Sequence, residues 1–209
     1  MDTSYNRIAG RSLERLSALS DGLFAIAMTL LVIDLRVPAA AAVRTEHDLW
    51  HALVALSPRL VVYLMSFLTL GIFWVGHVTQ LSLIARGDRN YAWIQIAFLS
   101  AIALMPFSTT LLAEFLTYRV ALLVYWGNIL LPGLALYGGW QYASGAGLVK
   151  TEAPADVGTA IRRRILIAQS LYAFGALLCA INTYWSIAFI VLVQLNYAIA
   201  PRIRLLSRV

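Results

Sequence analysis

Six long apolar runs, each closed by charge, proline or glycine, set the terms for this chain: roughly residues 16 to 35, 52 to 84, 91 to 114, 119 to 142, 163 to 181 and 184 to 200. A helix needs about 20 apolar residues to cross the hydrocarbon of a bilayer, and these runs leave almost no sequence over for a soluble domain. With 61% hydrophobic and 12% charged residues among 209, one water-soluble core could not hold the apolar surface, so lipid is the expected solvent. No alternation of strand type survives between the runs, and in lipid every backbone polar group must be paired internally. The expected fold is therefore an all-α membrane protein with six transmembrane helices in one domain, residues 1–209. The second run is long enough to tilt or to project into water.

Orientation follows from the basic residues. Arg7, Arg11 and Arg15 precede the first run, Arg86 and Arg89 follow the second, Lys150 and Arg162 to Arg164 precede the fifth, and Arg202, Arg204 and Arg208 end the chain. With six spans all of these fall on one side, and the alternate loops set Arg36, Arg44 and Arg119 against Asp34, Glu46, Asp48 and Glu114. The positive side faces the cytoplasm, which places both termini there. The net charge of +6 is thus read as a topology signal and not as a nucleic-acid surface. A cleavable signal ending near Ala39 to Ala42 is the rival reading of the N-terminus, against which the apolar run is long and is interrupted by Asp21.

Charges within the runs are few, and each is costly enough in lipid to call for a partner or a role. Asp21 lies about one turn inside the first run and His77 about two turns before the end of the second, so the two can share a depth. Arg15, Ser17 and Ser20 could complete a cluster, read either as a clamp between the first two helices or as a proton relay built on His77. Three histidines, with His47 and His51 at the opposite membrane face from His77, are too few for a metal centre, and no cofactor is expected. No nucleophile and base pairing, phosphate loop or HExxH helix is present, so the chain does not read as an enzyme. Cys179, the one cysteine, sits in an apolar run as a small buried hydrophobe.

At 100° per residue, Leu16, Leu23, Ala27, Leu30 and Asp34 fall within about 40° of Leu23, and Asp21 lies about 160° away. The first helix thus offers a polar side to its own bundle and an apolar stripe to lipid, to another helix, or to copies of itself around a symmetry axis. In the last case the leucines would line a narrow, dry pore with an Asp34 ring at its outer mouth, and such a constriction favours potassium, which sheds water more readily than sodium. The TVGYG filter is absent. Pro106 and Pro132 are expected kinks, Ser108 to Thr110 satisfy freed backbone groups, and Trp50, Tyr91, Trp93, Tyr142 and Trp185 are expected at the interfaces. Asn128, Gln194 and Asn196 are expected to bond across helices.

The stretch from Arg15 to Ala27, centred on Ser20-Asp21-Gly22, together with Phe73-Trp74-Val75-Gly76-His77, resembles bacterial members of the endolysosomal potassium channel family, transmembrane protein 175. Leu19 stands where that family carries Phe. The resemblance implies one six-span repeat assembled as a homotetramer in the lipid bilayer of a bacterial plasma membrane, conducting potassium ions. It implies that Leu23 is the main constriction, with Ala27 and Leu30 on further layers, and that Arg15, Ser20, Asp21, Trp74 and His77 form a network holding the first span to the second. A proton-conducting or proton-coupled transporter is the alternative.

Overall fold

The computed structural model describes residues 12–33, 35–154 and 156–199. Among them there is no strand beyond one isolated bridge between Ile84 and Val149, and the architecture is a helical bundle. Its elements are α1 (Leu13–Ile33), α2 (Glu46–Ala55), α3 (Ser57–Ser82), α4 (Arg89–Ala103), α5 (Met105–Glu114), α6 (Arg119–Gly145), α7 (Val157–Leu177) and α8 (Thr183–Ile199). Five helical segments are long and apolar enough to cross a membrane: Leu13–Ile33, Ser57–Ser82, Arg89–Glu114, Arg119–Gly145 and Val157–Ala180. The C-terminal helix, α8 (Thr183–Ile199), is apolar too but has 17 residues, so it falls short of that measure.

Local chemistry fixes the helix ends. Ser12 accepts the Arg15 amide at 3.3 Å to start α1, and Asp88 accepts the Tyr91 amide at 2.8 Å to start α4. Thr45 and Asp48 form a reciprocal capping box on α2, with the Asp48 amide on Thr45 at 3.1 Å and the Thr45 amide on Asp48 at 3.0 Å. α6 closes through Gly147, whose φ of 65° allows Leu148 to donate back to the Ala143 carbonyl at 2.9 Å.

Two prolines divide what the sequence presents as continuous runs. Pro58 stands in the first turn of α3, where its missing amide is harmless, and the chain turns at Leu56. The long second run is therefore not one tilted span: its first residues belong to α2, a separate short helix. Pro106 does the same for the third run, which breaks at Leu104 into α4 and α5. Pro132, in contrast, is carried inside an unbroken α6.

α3 is the hub, packed against α1, α5, α6 and α8, while α1 lies across α3, α4 and α5. The main core joins Phe24, Met65, Leu70, Phe98, Ile102, Leu122, Tyr125 and Ile190, all essentially inaccessible. A second cluster, around Leu16, Leu81, Ile84, Tyr91, Trp140 and Leu148, ties the start of α1 to the α3–α4 and α6–α7 connections. Those connections are bonded to each other, Ala85 to Leu148 at 2.8 Å and Lys150 to Leu83 at 2.9 Å. At the opposite end, Arg59 of α3 pairs with Glu114 of α5 at 2.9 Å, and Arg119 of α6 donates to Ala180 after α7 at 2.9 Å. These contacts sort the helix ends into two sets. Arg15, Arg86, Arg89, Lys150 and Arg162 to Arg164 gather at one end, as the charge pattern required, while Arg36, Arg44, Arg59 and Arg119 share the other with Glu46, Asp48 and Glu114.

Candidate functional site

The first helix turns a specific arc to its own bundle. Leu16, Ser20, Phe24, Ala27 and Leu31 are its buried residues, and at 100° per residue they span about 80° centred on Ser20. The bundle side is therefore not the side of Asp21. Asp21 is exposed and lies about 100° from Ser20, at one border of the arc, with Leu23 about 60° and Leu30 about 80° away at the other. The five-residue stripe read from periodicity is split accordingly. Leu16 and Ala27, at 9% and 3% exposure, point into the subunit, Leu23 is half-buried, and Leu30 is open at 43%. Asp34 lies outside the described residues.

Beyond Leu23 and Leu30 the helix is uncovered and apolar. Leu19, Ile26 and Ile33 are exposed at 54%, 61% and 68%. A groove of about 380 Å³ runs along this border, lined by Ala18, Leu19, Gly22, Leu23, Ile26, Ala27 and Leu30 of α1 and by Ala103 of α4. All eight are apolar or glycine, and nothing in it could ligate an ion directly. Such a surface can pass a cation only as a constriction that wets and dries.

On the other border, Trp74 Nε1 donates to Asp21 Oδ1 at 2.9 Å. Asp21 is eight residues from the start of α1 and Trp74 eight from the end of α3, so antiparallel packing brings both to about 12 Å from the same end. This bond is the part of the expected network that the structure brings together. Arg15 is exposed, and among the described residues no ion pair joins it to Asp21. His77 is 2% exposed and stacks on Phe98 with ring centroids 4.9 Å apart, while Ser20 Oγ and His77 Nε2 are buried without a hydrogen-bond partner. His77 thus packs as an aromatic on Phe98, whose ring also meets Phe24 and Phe73, and it stands within electrostatic range of Asp21.

Sequence reasoning missed a polar network in the middle of the subunit. Thr109 donates to Ser66 at 2.8 Å, Ser66 to the Tyr125 hydroxyl at 3.2 Å, Thr69 shares a 3.2 Å bond with the same hydroxyl, and Gln194 donates to Thr69 at 2.6 Å. Five side chains from α3, α5, α6 and α8 are so joined. The available signal was the spacing of Ser66 and Thr69, three apart on one face of α3. Gln194 does bond across helices as expected, and so does Asn128, which donates to the Ala101 carbonyl at 3.2 Å; Asn196 is exposed. Trp50, Trp93 and Trp185 are exposed as interfacial residues would be, but Tyr91 is a core residue and Tyr142 donates to Asp88 at 2.7 Å. Ser108 and Thr109 reach the Met105 carbonyl, and Thr110 the Pro106 carbonyl. Cys179 is buried. No group of three or more potential metal ligands occurs among the described residues.

Comparison with known proteins gives a consistent picture. The sequence profile described as endosomal/lysosomal potassium channel TMEM175 matches residues 15–106, which hold α1, α3 and the Asp21–Trp74 bond. A potassium channel of Streptomyces collinus is 38% identical over 155 residues, covering 71% of this chain and 74% of that protein. A potassium channel of Chamaesiphon minutus is 32% identical over 189 residues, covering 88% of this chain and 93% of that one. The zebrafish endosomal/lysosomal proton channel TMEM175 is 28% identical over 125 residues, 59% of this chain but 24% of the much longer animal protein. The crystal structure of a lysosomal potassium-selective channel TMEM175 homolog from Chamaesiphon minutus superposes with a TM-score of 0.79 at 30% identity, over 90% of this chain and 97% of that one.

Proposed function

Because this chain belongs to the TMEM175 family of membrane ion channels, we propose that it is a potassium-preferring cation channel, a homotetramer of six-span subunits whose α1 helices meet around the axis. The observation that carries this reading is the apolar groove along α1, which the subunit's own bundle leaves uncovered in a protein related over most of its length to named potassium channels. Four such borders, brought together, form a dry seam in which Leu23 and Leu30 are the constricting layers. Ala27 contributes width to the middle layer and not a side chain that reaches the axis. Asp34 gathers cations at the outer mouth, and the basic end of the bundle faces the cytoplasm. In this arrangement Asp21 and Trp74 are the clamp that holds α1 to α3, with Ser20 and His77 packed behind it and Arg15 at the membrane surface.

The test is current through the purified protein in planar bilayers. Leu23→Cys, treated with a positively charged thiol reagent, is expected to lose most of its potassium current, while the unsubstituted protein, whose Cys179 is buried, does not respond. Full current after complete labelling removes Leu23 from the pathway. A proton pathway is the second reading, favoured by the animal relatives that are named proton channels. Potassium flux that dissipates its gradient at equal pH on both sides supports the first reading, and flux that appears only with a proton gradient supports the second.

A further inference from the structure

Away from α1, a cleft of about 310 Å³ opens between α3, α6, α7 and α8. Its walls are apolar over most of their length, through Ile72, Phe73, Leu136, Ile165 and Ala168; Gly76 leaves room there, and the Gln169 side chain fills the place that a side chain at 133 would take. Along α3 it extends from Ile72 to Gln80, about 12 Å of helix. Toward the basic end of the bundle its lining changes character. Arg164 lines it there, with its guanidinium carbon 5.8 Å from the centre of the Tyr197 ring, and the Gln80 amide and the Tyr197 hydroxyl lie on the same lining. No carboxylate pairs with Arg164 among the described residues. Arg162, two residues away, is already engaged with Gln141 and Thr159 and does not line the space.

An elongated slot, apolar except for the Gln169 amide in its deeper part and carrying an unneutralised guanidinium and uncharged donors near the membrane surface, matches the shape of an amphiphile with a negative head. Basic pockets between transmembrane helices on the positive side hold anionic lipid head groups for this reason. Arg suits a phosphate better than Lys would, since its planar fork makes two parallel bonds. We propose that this cleft binds an anionic phospholipid, with the phosphate on Arg164 and one acyl chain along Phe73, Leu136 and Ala168. The site is separate from the α1 seam and does not depend on which ion the protein conducts.

The experiment is thermal unfolding of the purified protein in neutral phosphatidylcholine nanodiscs, with and without phosphatidylglycerol. Phosphatidylglycerol is expected to raise the unfolding midpoint, R164Q to lose most of that rise, and R163Q, whose side chain is exposed outside the cleft, to keep it. A168F, which fills the slot and leaves every charge in place, is expected to lose the rise as R164Q does, and Ala160→Leu at the mouth is the second blocking variant if A168F does not assemble. Glycerol phosphate without acyl chains is expected to have no effect. Equal loss in R163Q and R164Q, a full rise in a folded blocking variant, or an equal rise with glycerol phosphate would each overturn the proposal, because they report a diffuse surface effect or a free phosphate site.

Discussion

The outward face of α1 and the interior of the same subunit invert the arrangement expected of a water-filled channel. Along α1, the side chains left uncovered by the bundle are Leu19, Ile26, Leu30 and Ile33. Inside, buried from solvent, lies the chain of hydroxyls and amide that links Thr109, Ser66, Tyr125, Thr69 and Gln194. Lipid explains the pairing. Helices already dissolved in hydrocarbon gain little by burying more leucine, so interhelical hydrogen bonds and close packing take over as specific adhesive. Ser186 donates to the Gly175 carbonyl, and a methyl group at Gly175 would fall 2.9 Å from Ile190 Cγ1, so α7 and α8 approach more closely than larger residues allow. The apolar arc of α1, freed from the task of holding the subunit together, is available for contact with identical copies. The distinction taught by the two regions is that polarity marks the joints of this protein and apolarity marks its proposed pathway.

The strongest way to break that distinction is to exchange the character of the two regions. Leu23→Asp puts a charge into the proposed dry seam. It is expected to alter potassium conductance by on the order of tenfold, equivalent to a barrier change of about 1.4 kcal/mol. Leu123→Asp, at an exposed apolar position on α6 and off α1, is the control. Indistinguishable currents in the two variants would remove the special status of α1.

The next test works inside. Thr69 is the centre of the network, donating to the Met65 carbonyl at 2.9 Å while contacting Tyr125 and Gln194. Thr69→Val keeps the shape but strands the Gln194 amide in a site with no exposure, at a cost of about 1–3 kcal/mol. Adding Gln194→Leu removes the stranded group, so the double variant is expected to unfold at a higher temperature than Thr69→Val alone. Strictly additive losses would show that the five side chains do not act as a unit.

Between the two regions stands the Asp21–Trp74 bond. Trp74→Phe retains the ring packing and deletes the donor, for an expected loss of about 0.5–1.5 kcal/mol, at the lower end because both partners are partly open. Reduced tetramer yield with unchanged ion selectivity would fit a joint. A changed selectivity with normal assembly would move Asp21 from the joints to the pathway.

What could be read from the residues divides along the same line. Apolar runs and basic loops located the helices and sorted their ends, because both signals act locally in the chain. Periodicity grouped Leu16, Leu23, Ala27 and Leu30 correctly as neighbours, but an angle between residues carries no information on where the bundle stands. Only the packing of Phe24, Ala27 and Leu31 against α3 to α5 reveals that the bundle centre lies at Ser20. The Thr69–Gln194 bond was illegible for a different reason: its partners are 125 residues apart, and the spacing of Ser66 and Thr69 marks a polar face of α3 without naming what meets it. Pro58 and Pro106 carried a local signal for their breaks, although the second run read as one long span.

The smallest expected effect concerns the rim at the less basic end, where α2 is neither joint nor pathway. Asp48 accepts the backbone amides of Thr45 and Arg44, and bonds from the Thr45 side chain and the Arg44 backbone hold its carboxyl below the usual carboxylate range. A carboxylate with a lowered folded pKa contributes stability that is complete above its unfolded pKa of about 3.9 and disappears as pH falls through the lower, folded value. Because Asp48 sits in the capping box at the rim and is only half-buried, the contribution is local to the first turn of α2. Amide exchange within Glu46–Ala55 is expected to accelerate only below about pH 4, the unfolded carboxylate value, while α3 amides remain protected. Thr45→Ala is expected to give the faster exchange already at neutral pH. If α3 lost protection together with α2 in acid, α2 would have to be counted among the joints after all.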